Sequence, residues 1–338
     1  MIPYISFLAR RKTKRQSSTS SVCQIHLNAN WNQTGELLIE STTSIFTFNY
    51  PMLPCVGNGI LSELCQPSDL FLDKNNDVYI VNTGHDTIEK LIIANKTTET
   101  IVDGSQGLNK PSSLFIDNKL DDMYILDYVD VAEQCYVCPP GRTEYVRYKY
   151  RVKYLPRNSS IVTVIIKGTD KVFSPTLAMY LDKDLNIYIS NYESSKVKKW
   201  FAPNYTYTIT VAAATDEDSM NPSGIVVDQN YNLYIIDILN DRIVKWLFQA
   251  ATGLTIVSNI SSESITLDCH GNIYFALLDG DGIYRFNISD SSTVKIINHP
   301  EGEKTIETPY ISAIELDSFG NIYAIDHNNF QLIKFSIL

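Results

Sequence analysis

The sequence predicts an all-β fold: a six-bladed propeller of four-stranded antiparallel blades, its ring closed by a strand from the N-terminal side. Two observations carry that expectation. The first is a phrase, Asp-x-x-x-Asn-x-Tyr, read at Asp182 to Tyr188, Asp228 to Tyr234, Asp268 to Tyr274 and Asp317 to Tyr323. A variant runs from Asp73 to Tyr79 with Asp77 in the Asn slot, and a copy stretched by one residue runs from Asp117 to Tyr124. Successive leading aspartates lie 44, 65, 46, 40 and 49 residues apart, and β-rich units repeating every 40 to 50 residues or so mark propellers or solenoids. The second observation is that no unit shows a 3.6-residue apolar period, which disfavours helical repeats.

One unit shows how a blade is built. Pro222-Ser223-Gly224 is a turn signal, Ile225-Val226-Val227 a short buried strand, and Asp228 to Asn232 a tight turn. Leu233 to Asp237 is a second strand, Ile238 to Asp241 a loop, Arg242 to Leu247 a third strand and Leu254 to Val257 a fourth. By the same reading, blades start near Pro67, Pro111, Pro175, Pro222, Ser264 and Ile311. The sixth unit reaches Leu338 straight after its third strand, and a segment near residues 34–40 is the natural fourth. The expected organisation is a basic and polar tail over 1–22, disordered, then one propeller over 23–338 with an insertion at 128–148 in blade 2.

At Pro-x-Gly-Ile-x-x-Asp-x-x-x-Asn-x-Tyr-x-x-Asp followed by Arg-Ile-x-Lys-Trp, residues 222–246 resemble the NHL repeat nearly throughout. The resemblance covers roughly residues 34–338. Blades 3, 4 and 6 match well, Leu277 replaces the second Asp in blade 5, and the insertion breaks blade 2. It implies a six-bladed propeller without implying one activity. Some NHL proteins bind protein or RNA, and relatives include amidating lyases and lactonases.

Composition narrows the function classes. Against 28 basic residues stand 38 acidic ones, for a net charge of −10, so a phosphate-backbone partner is disfavoured. No apolar run approaches the ~20 residues that span a bilayer. Apolar residues 1–9 precede a basic run at 10–15, the reverse of a secretory signal. Six cysteines and six sequons (Asn32, Asn95, Asn158, Asn204, Asn259 and Asn287) lean towards an extracellular or cell-surface location.

The repeated aspartates read as turn residues, because a hairpin turn is needed in every blade and a catalytic group only once. The third-strand lysines and arginines are expected to pair with the Asp or Asn ending each second strand. First strands should line the channel, where Asp69 and Glu315 are the acidic candidates. His85 and His327 fall in loops on one face, in neighbouring blades. The lactonase and amidating lyase resemblance would make these four a calcium or zinc site. Cys135-x-x-Cys138 lacks a partner CxxC and reads as structural; Cys55 and Cys65 are the other disulfide candidates. The blade 2 insertion holds Tyr136, Arg142, Tyr145, Arg147 and Tyr148, residue types that anchor interfaces. The resulting expectation is a non-catalytic binding scaffold for a protein or glycan, with no cofactor and no catalytic residue. A metal-dependent hydrolase or lyase is the alternative.

Overall fold

The computed structural model describes residues 25, 29–39, 64–134, 144–172, 177–191, 193–215, 218–298 and 309–338. Within them the chain forms six four-stranded antiparallel sheets, the blades of one propeller. The inner strands are β2 (Pro67–Leu72), β6 (Ser113–Asp117), β10 (Met179–Leu181), β14 (Pro222–Val227), β18 (Ile265–Leu267) and β22 (Ile311–Leu316). The last blade is completed by β1 (Glu36–Ile39), whose residues Glu36 and Leu37 pair with Lys334 and Ile333 of β24 (Gln331–Phe335). The expected tail, residues 1–22, lies outside the described residues.

Apolar side chains gather at the six seams between blades, not in one central core. Ile225 and Val227 of blade 4, for example, pack with Tyr188 and Val197 of blade 3. Ile80 and Leu91 of blade 1 pack with Tyr323 and Ile325 of blade 6. The inner strands at the centre of the ring line a cavity. A bulge in the outer-strand pairing of blades 1 to 5, as between Ile243 and Val244, was not readable from the sequence.

The repeated phrase is a hydrogen-bond hub. Asp228 Oδ1 accepts from the backbone N–H of Asn230 and Asn232, while Oδ2 accepts from Asn232 Nδ2 and the Tyr234 hydroxyl. Asn232 Oδ1 in turn accepts from Phe248 N, tying the turn to the end of the third strand. The same bonds recur at Asp182 and Asp268. The residue before the Asn slot has φ between 62° and 91° at Asn76, Leu185, Tyr231, Gly271 and Gly320. The turn geometry overrides the preference of Leu185 and Tyr231 for negative φ.

The cation pairing is more selective than expected. Arg242 and Arg151 do bond the second-strand aspartates Asp237 and Asp127. Lys90, however, lies 3.1 Å from Asp77 in the Asn slot and 3.6 Å from the leading Asp73, and Lys199 lies 3.0 Å from the leading Asp182. Register explains the split: Lys90 and Lys199 lie opposite the motif tyrosines Tyr79 and Tyr188, whereas Arg242 lies opposite Asp237.

Blade 2 differs from a blade carrying a loop insertion. β7 (Asp122–Gln134) and β8 (Glu144–Leu155) pair continuously out to Gln134 and Glu144, so most of segment 128–148 is a two-stranded ribbon. β9 (Thr163–Val172) follows it as far as Tyr148. The alternating Tyr and cation pattern of residues 145–151 is strand periodicity, which continues the blade's own middle strands.

Candidate functional site

The inner strands enclose a central cavity of about 910 Å³. Counting back from each leading aspartate shows how the sequence shapes it. Four positions before, the six blades carry Asp69, Ser113, Ala178, Gly224, Ser264 and Ala313; two positions before, Phe71, Phe115, Tyr180, Val226, Thr266 and Glu315. Small residues at the upper level open the cavity, and bulkier ones narrow the lower level.

The upper ring also stitches the blades together. Ser113 Oγ accepts from Met179 N, Ser264 Oγ from Ile314 N and Asp69 Oδ2 from Leu114 N, in each case on the following blade. At Gly224 a Cβ would stand 2.3 Å from the Glu263 carbonyl oxygen, so the approach of blade 5 leaves no room for a side chain. Asp69 takes two further bonds, from Ser113 Oγ (2.8 Å) and Leu70 N (2.9 Å). Serine suffices for the stitch in two blades, so the negative charge at Asp69 exceeds what assembly needs.

Glu315 has less support. Burial pushes its carboxyl up to about 8, opposed by a hydrogen bond from Thr266 and reinforced by the charge of Asp69. Burial likewise raises Asp69 to about 6, against its three hydrogen bonds. Both side chains touch cavity solvent but are walled by protein on their other sides, so desolvation dominates. Tyr180, on the blade opposite Glu315, is raised first by burial and then by the Glu315 charge.

The cavity mouth lies among the loops leading into the blades and those between second and third strands. Tyr310 donates to Glu263 Oε2 at 2.5 Å, and the Tyr310 ring meets His327 edge-on at 5.7 Å. His327 Nδ1 lies 3.0 Å from the Pro67 carbonyl. Asp69, Glu315 and His327 therefore all line the cavity. His85 does not: it ends an exposed turn, Thr83–His85, with its ring beside the Asn82 amide at 3.3 Å. Among the described residues, no group of three or more His, Cys, Asp and Glu side chains is placed to share a metal. Glu263 and Tyr310 were missed by sequence reading because each occurs in one blade only.

The ribbon residues divide. Tyr136 and Arg142 lie outside the described residues, as does the side chain of Tyr145. Arg147 and Tyr148 lie on opposite faces of β8. Tyr148 packs edge-on against Tyr128 at 6.3 Å beneath Lys110, whose ammonium is 4.6 Å from the Tyr148 ring centre. It therefore anchors the ribbon base. The Arg147 face also carries Lys149, with Val129 and Val131 opposite in register.

Cys65 and Cys269 are both disulfide-bonded; Cys55, Cys135 and Cys138 lie outside the described residues. Of the sequon residues, Asn32, Asn95, Asn158, Asn204 and Asn259 are exposed, while the half-buried Asn287 donates to Ser292 Oγ at 2.7 Å.

No family model matches the chain, and no curated protein matches it. Solved structures share its fold. A Bacteroides thetaiotaomicron structural genomics protein of unknown function aligns with TM-score 0.62 at 13% identity, over 92% of this chain and 76% of that one. A putative gluconolactonase aligns at 0.59 and 10%, over 93% and 94%. A streptogramin B lyase aligns at 0.56 and 12%, over 82% and 96%. At these identities the likeness is one of fold.

Proposed function

We propose that the protein is an NHL-type binding propeller, non-catalytic, whose ribbon-bearing face docks the acidic surface of a partner protein. The observation that carries this reading is the cationic strip on the ribbon. Lys149 and Lys167 make no ion pair among the described residues, and Arg151 stands directly opposite Lys167. Like charges placed directly across a sheet are unfavourable. Asp127 neutralises Arg151 and Lys153 but leaves Lys149 and Lys167 uncompensated. On a chain of net charge −10, such a strip is a local exception, and an acidic partner relieves it. Exposed Val129 (39%) adds apolar contact on the same face.

The test is surface-plasmon binding of poly-L-glutamate to wild type and to Lys149→Glu/Lys167→Glu. Salt-dependent binding to wild type, lost in the charge reversal, supports the reading. Equal binding by both proteins overturns it. A secreted, glycosylated protein is the setting that the disulfide-bonded cysteines and exposed sequons favour, and a mass decrease on enzymatic deglycosylation checks it. No helix among the described residues is long and apolar enough to cross a membrane.

A second reading, a metal-dependent hydrolase or lyase, draws on the three candidate ligands Asp69, Glu315 and His327 that line one cavity. About one equivalent of tightly held calcium or zinc in the purified protein, measured by elemental mass spectrometry, would favour it over the binding reading.

A further inference from the structure

A second site follows from the cavity, independently of the ribbon. Among the described residues its lining includes Asp69, Glu263, Glu315 and His327 but no lysine or arginine. At the lower level an arc of three rings runs over consecutive blades. Phe71 and Phe115 are 5.0 Å apart between centroids, and Phe115 and Tyr180 are 5.6 Å apart. Glu315 completes that level beside Phe71 and opposite Tyr180, and Asp69 stands one level higher on the neighbouring blade.

We infer that this cavity binds a small organic ammonium ion, seated between the Phe71–Phe115–Tyr180 arc and the carboxylates of Glu315 and Asp69. Aromatic rings attract cations through their quadrupole, and a desolvated site strengthens that attraction. A metal ion wants six to eight oxygens or a tetrahedral donor set, whereas rings and two carboxylates suit an alkylammonium group. Folding does not require Glu315: five blades place Phe, Phe, Tyr, Val or Thr at its register. A carboxylate held in a walled cavity by one hydroxyl donor, where an apolar residue would do, is costly without a ligand. The cavity of about 910 Å³ falls in the range that encloses small molecules. Its rim supplies Tyr310, His327 and Asn328 for polar groups elsewhere on the ligand.

Isothermal titration at pH 9, above the value of about 8 to which burial raises Glu315, with choline and with its uncharged isostere 3,3-dimethyl-1-butanol, tests the inference on the intact chain. Choline is expected to bind saturably, and the neutral isostere at least about tenfold more weakly. Glu315→Gln keeps the volume and removes the charge; it should weaken choline binding by at least about tenfold and leave the isostere unchanged. Phe115→Leu removes one ring and should weaken choline selectively. Thermal melts establish that each variant is folded, and Glu315→Gln decides the question if Phe115→Leu is not. Absence of saturable choline binding to wild type, equal binding of the two ligands, or full choline affinity in Glu315→Gln would each overturn it.

Discussion

Replacing Glu315 by glutamine should stabilise the protein, and increasingly so as pH rises. The carboxyl goes from its ordinary value of 4.5 to about 8 on folding. Each unit corresponds to about 1.36 kcal/mol, so ionising this group inside the cavity costs about 5 kcal/mol at most, an upper bound because cavity water offsets part of it. The unfolded chain loses this proton near pH 4.5 while the folded chain keeps it. The group's favourable contribution is therefore fully present below 4.5, is lost progressively as pH climbs, and is gone above 8. Glutamine has no such dependence. Asp69, raised to about 6 by burial, adds a loss of the same sign in both proteins. Urea unfolding of both proteins from pH 4.5 to 9 gives the difference directly, since every other titrating group cancels to first order. The stability gap should open between pH 5 and 8 and then level off. A gap that is constant, or that narrows with rising pH, would refute the reasoning.

Three further outcomes follow from the packing. Gly224→Ala should cost about 1–3 kcal/mol in urea unfolding, since the new Cβ meets a backbone oxygen at 2.3 Å. Asp228→Ala should cost about 2–4 kcal/mol by stranding Asn232 Nδ2 and the Tyr234 hydroxyl, and a double-mutant cycle with Tyr234→Phe should show coupling. Trp31→Ala should cost about 3–5 kcal/mol in the same assay, because Trp31 is 2% exposed and donates its indole N–H to the Gly320 carbonyl.

The architecture was legible because its cause is repeated. The four exact copies of Asp-x-x-x-Asn-x-Tyr close the same turn around the leading aspartate, and two variants at a similar spacing bring the count to six blades. What sequence reading lost is what occurs once or depends on register. The ribbon was taken for a loop insertion because Cys135, Cys138, Pro139 and Pro140 interrupt the strand pattern of the sequence, while β7 and β8 continue pairing out to Gln134 and Glu144. Lys90 and Lys199 were assigned to the wrong carboxylates because they stand three residues further along the third strand than Arg242, opposite the motif tyrosines rather than the end of the second strand. At the cavity, Asp69 and Glu315 stood out as acidic residues on inner strands. The aromatic arc did not, since Phe71, Phe115 and Tyr180 read as ordinary strand residues until the ring brings them together.

The closing strand also sets a timetable for folding. Leu37 pairs with Ile333, 296 positions later in the chain. A ribosome adding 5–20 residues per second takes roughly 15–60 s to make that stretch. Throughout that interval the segment destined to seal the ring has no partner, and blades 1 to 5 can stack only as an open arc with an uncovered seam at each end. The circle is completed after translation has passed Ile333, by a contact between the earliest and latest parts of the sheet. Chaperone dependence during synthesis, and sensitivity to loss of a few residues at either side of that seal, are the cellular costs of closing a propeller in this way.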